Sequence, residues 1–230
     1  MTEMSFNKSN AKITGWLFII AAVSSIIGLK LYDPILSDNN FILSANNHYN
    51  QIIFGAINEL ILVASATGTG IMLYPLLKRY NESMGIGYLS FRMLEAVFIM
   101  IGLLSILTVL SISESYVDGA ITDKANAQNL GLSFISLHKW TFMLGPNFML
   151  SINTFIYSFV FYKTKIIPSN LAILGLLASF LIMTAAILEL FGVIQQISTW
   201  GILLALPIAL YEMTLAIYLI TKGTKAGIGN

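Results

Sequence analysis

Six long apolar stretches divide the chain, at residues 13–32, 52–77, 86–112, 132–162, 171–194 and 200–220. Each reaches or exceeds the roughly 20 residues that an α-helix needs to cross the hydrocarbon layer of a bilayer. The runs are continuous rather than alternating, which favours helices over barrel strands. In lipid, moreover, every backbone N–H and C=O must be satisfied within its own segment. The expected fold is therefore an all-α, polytopic membrane helix bundle of six transmembrane helices. It forms a single domain, with no extramembrane part large enough to fold alone.

Charge placement orients the bundle. The gap between the second and third runs carries Lys78 and Arg79, the gap between the fourth and fifth carries Lys163 and Lys165, and the C-terminal tail carries Lys222 and Lys225. With Lys8 and Lys12 ahead of the first run, eight of the twelve Lys and Arg residues lie on one side. Lys30, at the far end of the first run, and Lys124 fall opposite, beside gaps that hold Asp33, Asp38, Glu114, Asp118 and Asp123. Basic residues of short loops stay cytoplasmic, so both termini are expected in the cytoplasm. Trp16, Tyr162 and Trp200 stand at run ends, where aromatic anchors belong. The first run is too long for the 7–15-residue apolar core of an export signal and is expected to be retained as a span.

Composition excludes several function classes. Only 10% of the 230 residues are charged and 57% are apolar, against about 25% charged in a soluble domain. A net charge of +1 lacks the clustered basic face that a phosphate backbone calls for, which sets nucleic acid aside as a partner. Cysteine is absent, so disulfides and thiolate metal sites are excluded together with a cysteine nucleophile. The two histidines, His48 and His138, are far apart. The chain has no HExxH helix, GxSxG elbow or P-loop, so neither a metal nor a cofactor is expected and no catalytic residue is assigned.

Ionisable side chains inside a span are costly, roughly 2.5–3.5 kcal/mol each on insertion scales, so they face the bundle interior and pair. At about 1.5 Å of rise per residue, they fall into two layers. Arg92, Glu95 and Glu212 lie roughly 10–15 Å from the cytoplasmic ends of their runs. Arg92 and Glu95 are three residues apart and share a helical face. One arginine with two carboxyls leaves either a net negative charge or one protonated acid. The outer layer holds Glu59 and Glu189 at roughly 27 Å, with His138 and Lys139 at or beyond that level. Gly145-Pro146-Asn147, followed by Asn153, and the lone Pro207 mark candidate helix breaks, because proline has no N–H to donate. Broken helices often build midplane sites in transporters. Ala64, Gly68 and Gly70, and Gly175 and Ser179, look like helix-packing faces.

Several short motifs occur in order: Ala11-Lys12-Ile13-Thr14-Gly15-Trp16-Leu17, Phe91-Arg92-Met93-Leu94-Glu95-Ala96, Leu137-His138-Lys139, and 163–171 followed by Gly175. The last is Glu212 ahead of Leu219-Ile220-Thr221-Lys222-Gly223. Through nearly its whole length the chain resembles bacterial six-span proteins of the domain-of-unknown-function family numbered 4386. The resemblance implies an integral protein of the bacterial cytoplasmic membrane with no settled activity, and it draws attention to Arg92, Glu95, His138 and Glu212.

The leading functional expectation is a protein that binds or transports a small polar or lipid-like ligand through the Arg92, Glu95 and Glu212 layer. Two alternatives stand beside it. One is an intramembrane enzyme acting on a lipid or isoprenoid, with a glutamate as general acid or base. The other is an accessory subunit whose charges only hold the bundle together. The expected partners are the bilayer and that ligand.

Overall fold

The computed structural model describes residues 8–224, and every regular element in it is helical. In chain order these are α1 (Lys8–Leu31), the short α2 (Asp33–Leu36) and α3 (Phe41–Asn47), α4 (Tyr49–Tyr80), α5 (Glu82–Val117) and α6 (Lys124–Phe142). A π-helical segment (Met143–Met149) then leads to α7 (Leu150–Thr164), α8 (Ser169–Leu190) and α9 (Thr199–Thr221). Local chemistry sets several of the ends. The side chains of Asn81, Asp123 and Ser198 accept hydrogen bonds from the backbone N–H groups of Met84, Ala125 and Gly201, satisfying donors that a helix start leaves free. Lys165 turns left-handed after α7 with φ 54°, and Gly192 after α8 with φ 68°, the conformation that closes many helices.

Among the described residues, five helices are long and apolar enough to cross a membrane: α1, α4, α5, α8 and α9. The run at 132–162 is built differently. It belongs to α6, the π segment and α7, which follow one another without a gap from Lys124 to Thr164. The expected break at Pro146 and Asn147 is therefore a widened turn. A π turn closes its hydrogen bonds one residue further along the chain, and such local adjustment lets a membrane helix carry proline. Pro207 lies inside α9 without interrupting it, as does Pro75 in α4. Lys225, counted with the basic tail, lies outside the described residues.

Neighbours in sequence are neighbours in space. α1 packs on α4, α4 on α5, and α5 on α6, the π segment and α7; α7 packs on α8, α8 on α9, and α9 returns to α1. The helices thus close a ring. Gly15 makes the closure tight, since a Cβ there would stand 2.6 Å from the Ala216 carbonyl. Two apolar cores result. One fills the end where the described chain begins and finishes, and joins residues of α1, α4, α5, α7, α8 and α9 around Phe18, Tyr88, Tyr157, Phe161 and Tyr211. The other occupies the opposite end on one side only. There α2 and α3 fold over the ends of α4, α5 and α6 and bury Tyr32, Ile35, Phe41, Ile42 and Ala45 with Ile106, Val109 and Ile135. The first outer gap, a polar loop by sequence, is thereby a helical cap.

Candidate functional site

The first core encloses the inner polar layer. Arg92 stands on α5 with 4% of its surface exposed, and Glu95 follows it on the same face with 5%. Arg92 Nη1 donates to both Glu95 oxygens, at 3.0 and 2.8 Å. Its Nε donates across to α4, to the Ala66 carbonyl at 3.1 Å and to Thr69 Oγ1 at 3.0 Å. From α7, Asn153 Nδ2 donates to Glu95 Oε2 at 2.7 Å. Gly70 makes room for the arginine stem, since a Cβ there would meet Arg92 Cγ at 3.3 Å. The guanidinium also lies over the Phe18 ring of α1, 6.0 Å from its centroid. Thr69, Arg92, Asn153 and Glu212 each sit about ten residues, or ~15 Å, in from the same end of the bundle.

Glu212 enters from α9, within electrostatic range of Arg92 and Glu95. It makes no hydrogen bond through Oε1, which is sealed from solvent. Asn153 Oδ1 also lacks a partner, while the Tyr88 hydroxyl faces Thr69 and the Tyr157 hydroxyl faces Thr154 without a well-aligned hydrogen bond. The tyrosines are packed together, Tyr88 edge-on to Tyr157 with centroids 5.7 Å apart and Tyr157 stacked on Tyr211 at 5.9 Å. Tyr211 is itself satisfied, its hydroxyl 2.8 Å from Ser158 Oγ, and Gly175 leaves the space that pair occupies. Among the described residues, Glu212 Oε1 and Asn153 Oδ1 are thus sealed without a partner beside one Arg–Glu pair, with the tyrosine hydroxyls close by. Buried polar atoms are nearly always bonded, so such a concentration calls for a physical reason. Together they offer hydroxyl donors, an amide acceptor and a carboxyl that no hydrogen-bonded cation neutralises.

The outer layer divides in two. On one side, Tyr32 donates its hydroxyl to Glu59 Oε2 at 3.0 Å and packs edge-on against His138, with centroids 6.0 Å apart. His138 Nδ1 lies 3.2 Å from the Gly102 carbonyl, which requires the proton on Nδ1 because a carbonyl only accepts. Only glycine fits at 102, since a Cβ would stand 2.9 Å from Thr141 Oγ1. The cavity beside Glu59 and His138 measures ≈ 10 Å³, the lower limit for a single water. On the other side, Asn147 Nδ2 from the π segment donates to the half-buried Glu189 at 2.9 Å. Glu189 and the exposed Lys139 line one open cleft.

Sequence reading named the charges but missed their polar company: Thr69, Thr154, Tyr157, Tyr88, and Tyr32 in the outer layer. A signal was present in part. Tyr88, Arg92 and Glu95 follow at i, i+4 and i+7, as do Asn153 and Tyr157 at i and i+4, so each set shares a helical face.

A family model described as "Domain of unknown function (DUF4386)" matches residues 13–223. No curated protein and no solved structure matches the chain.

Proposed function

The chain belongs to the DUF4386 family, and we propose that it is a six-span protein of the bacterial cytoplasmic membrane that binds or transports a small polar or lipid-like ligand at Arg92, Glu95 and Glu212. The sixth crossing is the continuous helical stretch of α6, the π segment and α7, and both termini face the cytoplasm, as the Lys and Arg distribution favours. The observation that carries the reading is the buried Glu212 carboxyl, whose Oε1 has no hydrogen-bond partner although it lies beside the Arg92–Glu95 pair. An unpaired polar group in an apolar interior costs about 1–3 kcal/mol, and a polar ligand seated among these groups would offset that cost. Arg92 and Glu95 hold the frame, while Glu212 supplies the carboxyl free to take a ligand donor or a proton.

Native mass spectrometry of protein released gently from its own membrane, wild type against Glu212→Gln, tests this. A mass that co-purifies with wild type and is lost from an equally stable Glu212→Gln variant is the expected result. Clean, identical spectra would sink it and leave the second reading, that the charges only fasten the bundle. That reading has its own support in the Arg92 bonds, which tie α5 to α4 while Asn153 ties α7 to Glu95.

A further inference from the structure

The cleft that holds Glu189 and Lys139 is separate from the Arg92 site. It measures ≈ 510 Å³ and is lined by Leu36 and by Ser136, Lys139, Trp140 and Met143 from the α6 side, and by Glu189, Ile194, Gln195, Gln196 and Ile197 from the α8–α9 side. That volume falls within the usual range for a small-molecule site. Its walls are fixed. Glu189 is held by Asn147, the chain leaves α8 through the left-handed Gly192, and Ser198 caps α9. Gly201 lies against the Gln195 and Gln196 carbonyls, where no side chain would fit. Gln196 Nε2 is sealed there without a hydrogen-bond partner.

Helix lengths place this cleft relative to the bilayer. α8 and α9 have 22 and 23 residues, about 33–35 Å, close to the hydrocarbon thickness. α4 and α5 have 32 and 36, about 48–54 Å, and stand well clear of it. The 191–198 connection therefore runs at the membrane surface, under the overhang of the taller helices. Its side chains agree: Phe191 is 77% exposed, Val193 66% and Ile197 69%, with Trp200 at 66%. Apolar side chains so exposed beside a polar cleft fit the boundary between headgroups and acyl chains.

We infer that this cleft seats the headgroup of a zwitterionic phospholipid, with its phosphate at Lys139, its ammonium at Glu189, and its acyl chains along the apolar rim of 191–200. A cation and a carboxylate lining one cleft match a head bearing both charges. A purely anionic head meets Glu189 as well as Lys139 and is disfavoured.

The test uses the full-length protein in detergent, with native mass spectrometry after addition of phosphatidylethanolamine or phosphatidylglycerol of the same acyl chains. Wild type is expected to retain phosphatidylethanolamine about fivefold better, as one partly exposed charge pair allows. Glu189→Gln should bring the ratio near one and Lys139→Gln should weaken retention of both lipids, neither moving the thermal midpoint, and Glu212→Gln should leave the ratio unchanged. Equal retention of both lipids by wild type, a preference that survives Glu189→Gln, or retention untouched by Lys139→Gln would overturn the assignment. So would displacement by soluble phosphoethanolamine as effective as the intact lipid, since the cleft would then bind a free zwitterion.

Discussion

The two polar layers hold similar residues and have become different things. In the inner layer the charges converge: α4, α5 and α7 are joined by hydrogen bonds through Arg92 and Glu95, and α9 brings Glu212 beside them. In the outer layer they part company. Glu59 is held by Tyr32 in a buried corner, while Glu189 borders an open cleft. The cause is the surrounding architecture. The core around the inner layer draws on α1, α4, α5, α7, α8 and α9, whereas the outer core closes on one side only. A carboxyl that all walls enclose must find partners within the protein, and one beside a gap can leave part of that task to solvent or headgroups.

The sharpest way to break this contrast is Arg92→Ala. It leaves Glu95 sealed with Asn153 as its remaining donor, and loss of one partner of a buried pair costs about 3–5 kcal/mol. The expected outcome is a large fall in folded yield and in the thermal midpoint measured in detergent. A variant as stable as wild type would show that the inner layer is not the fastening the hydrogen bonds describe. Asn153→Ala comes next, with about 1–3 kcal/mol for removing a donor from a buried carboxylate, read from the same midpoint. Asn147→Ala is the matching change outside. Glu189 is half-buried, so other donors can replace the lost amide and the cost should stay below about 1 kcal/mol. Equal losses from the two asparagine variants would erase the distinction between the layers.

Much of the architecture was legible because hydrocarbon imposes a length on each helix and expels charge. Those rules locate α1, α4, α5, α8 and α9 within a few residues. They say little about where a helix ends once it has left the lipid. α5 continues past 112 to Val117 through Ser113, Glu114 and Ser115, residues that hydropathy excludes but helical geometry tolerates. The opposite error occurs in α8, where 191–194 reads as apolar yet Gly192 turns the chain out of the helix. The cap was invisible for a related reason. Phe41, Ile42 and Ala45 are too few for a span, and only their contacts with α5 and α6 show that they are buried. In the site, depth arithmetic placed Arg92, Glu95 and Glu212 at one level, because helical rise is constant. The i, i+3 spacing already set Arg92 against Glu95, but it could not say that Thr69 and Asn153 would join them, nor that tyrosines from α5, α7 and α9 would crowd the same space. Those outcomes depend on how the helices are rotated and where the ring closes.

Ring closure has one more consequence. Gly223 lies against Lys8, with a Cβ position 3.5 Å from Lys8 Cγ, so the described ends of the chain meet at one end of the bundle. The order of helices around the ring is therefore cyclic. A circular permutant joined across that contact and reopened in the 165–168 turn would keep every helix beside its present neighbours and both new ends on the same face. Assembly of such a permutant would show whether the bundle depends on the order in which its helices enter the membrane or only on which of them touch.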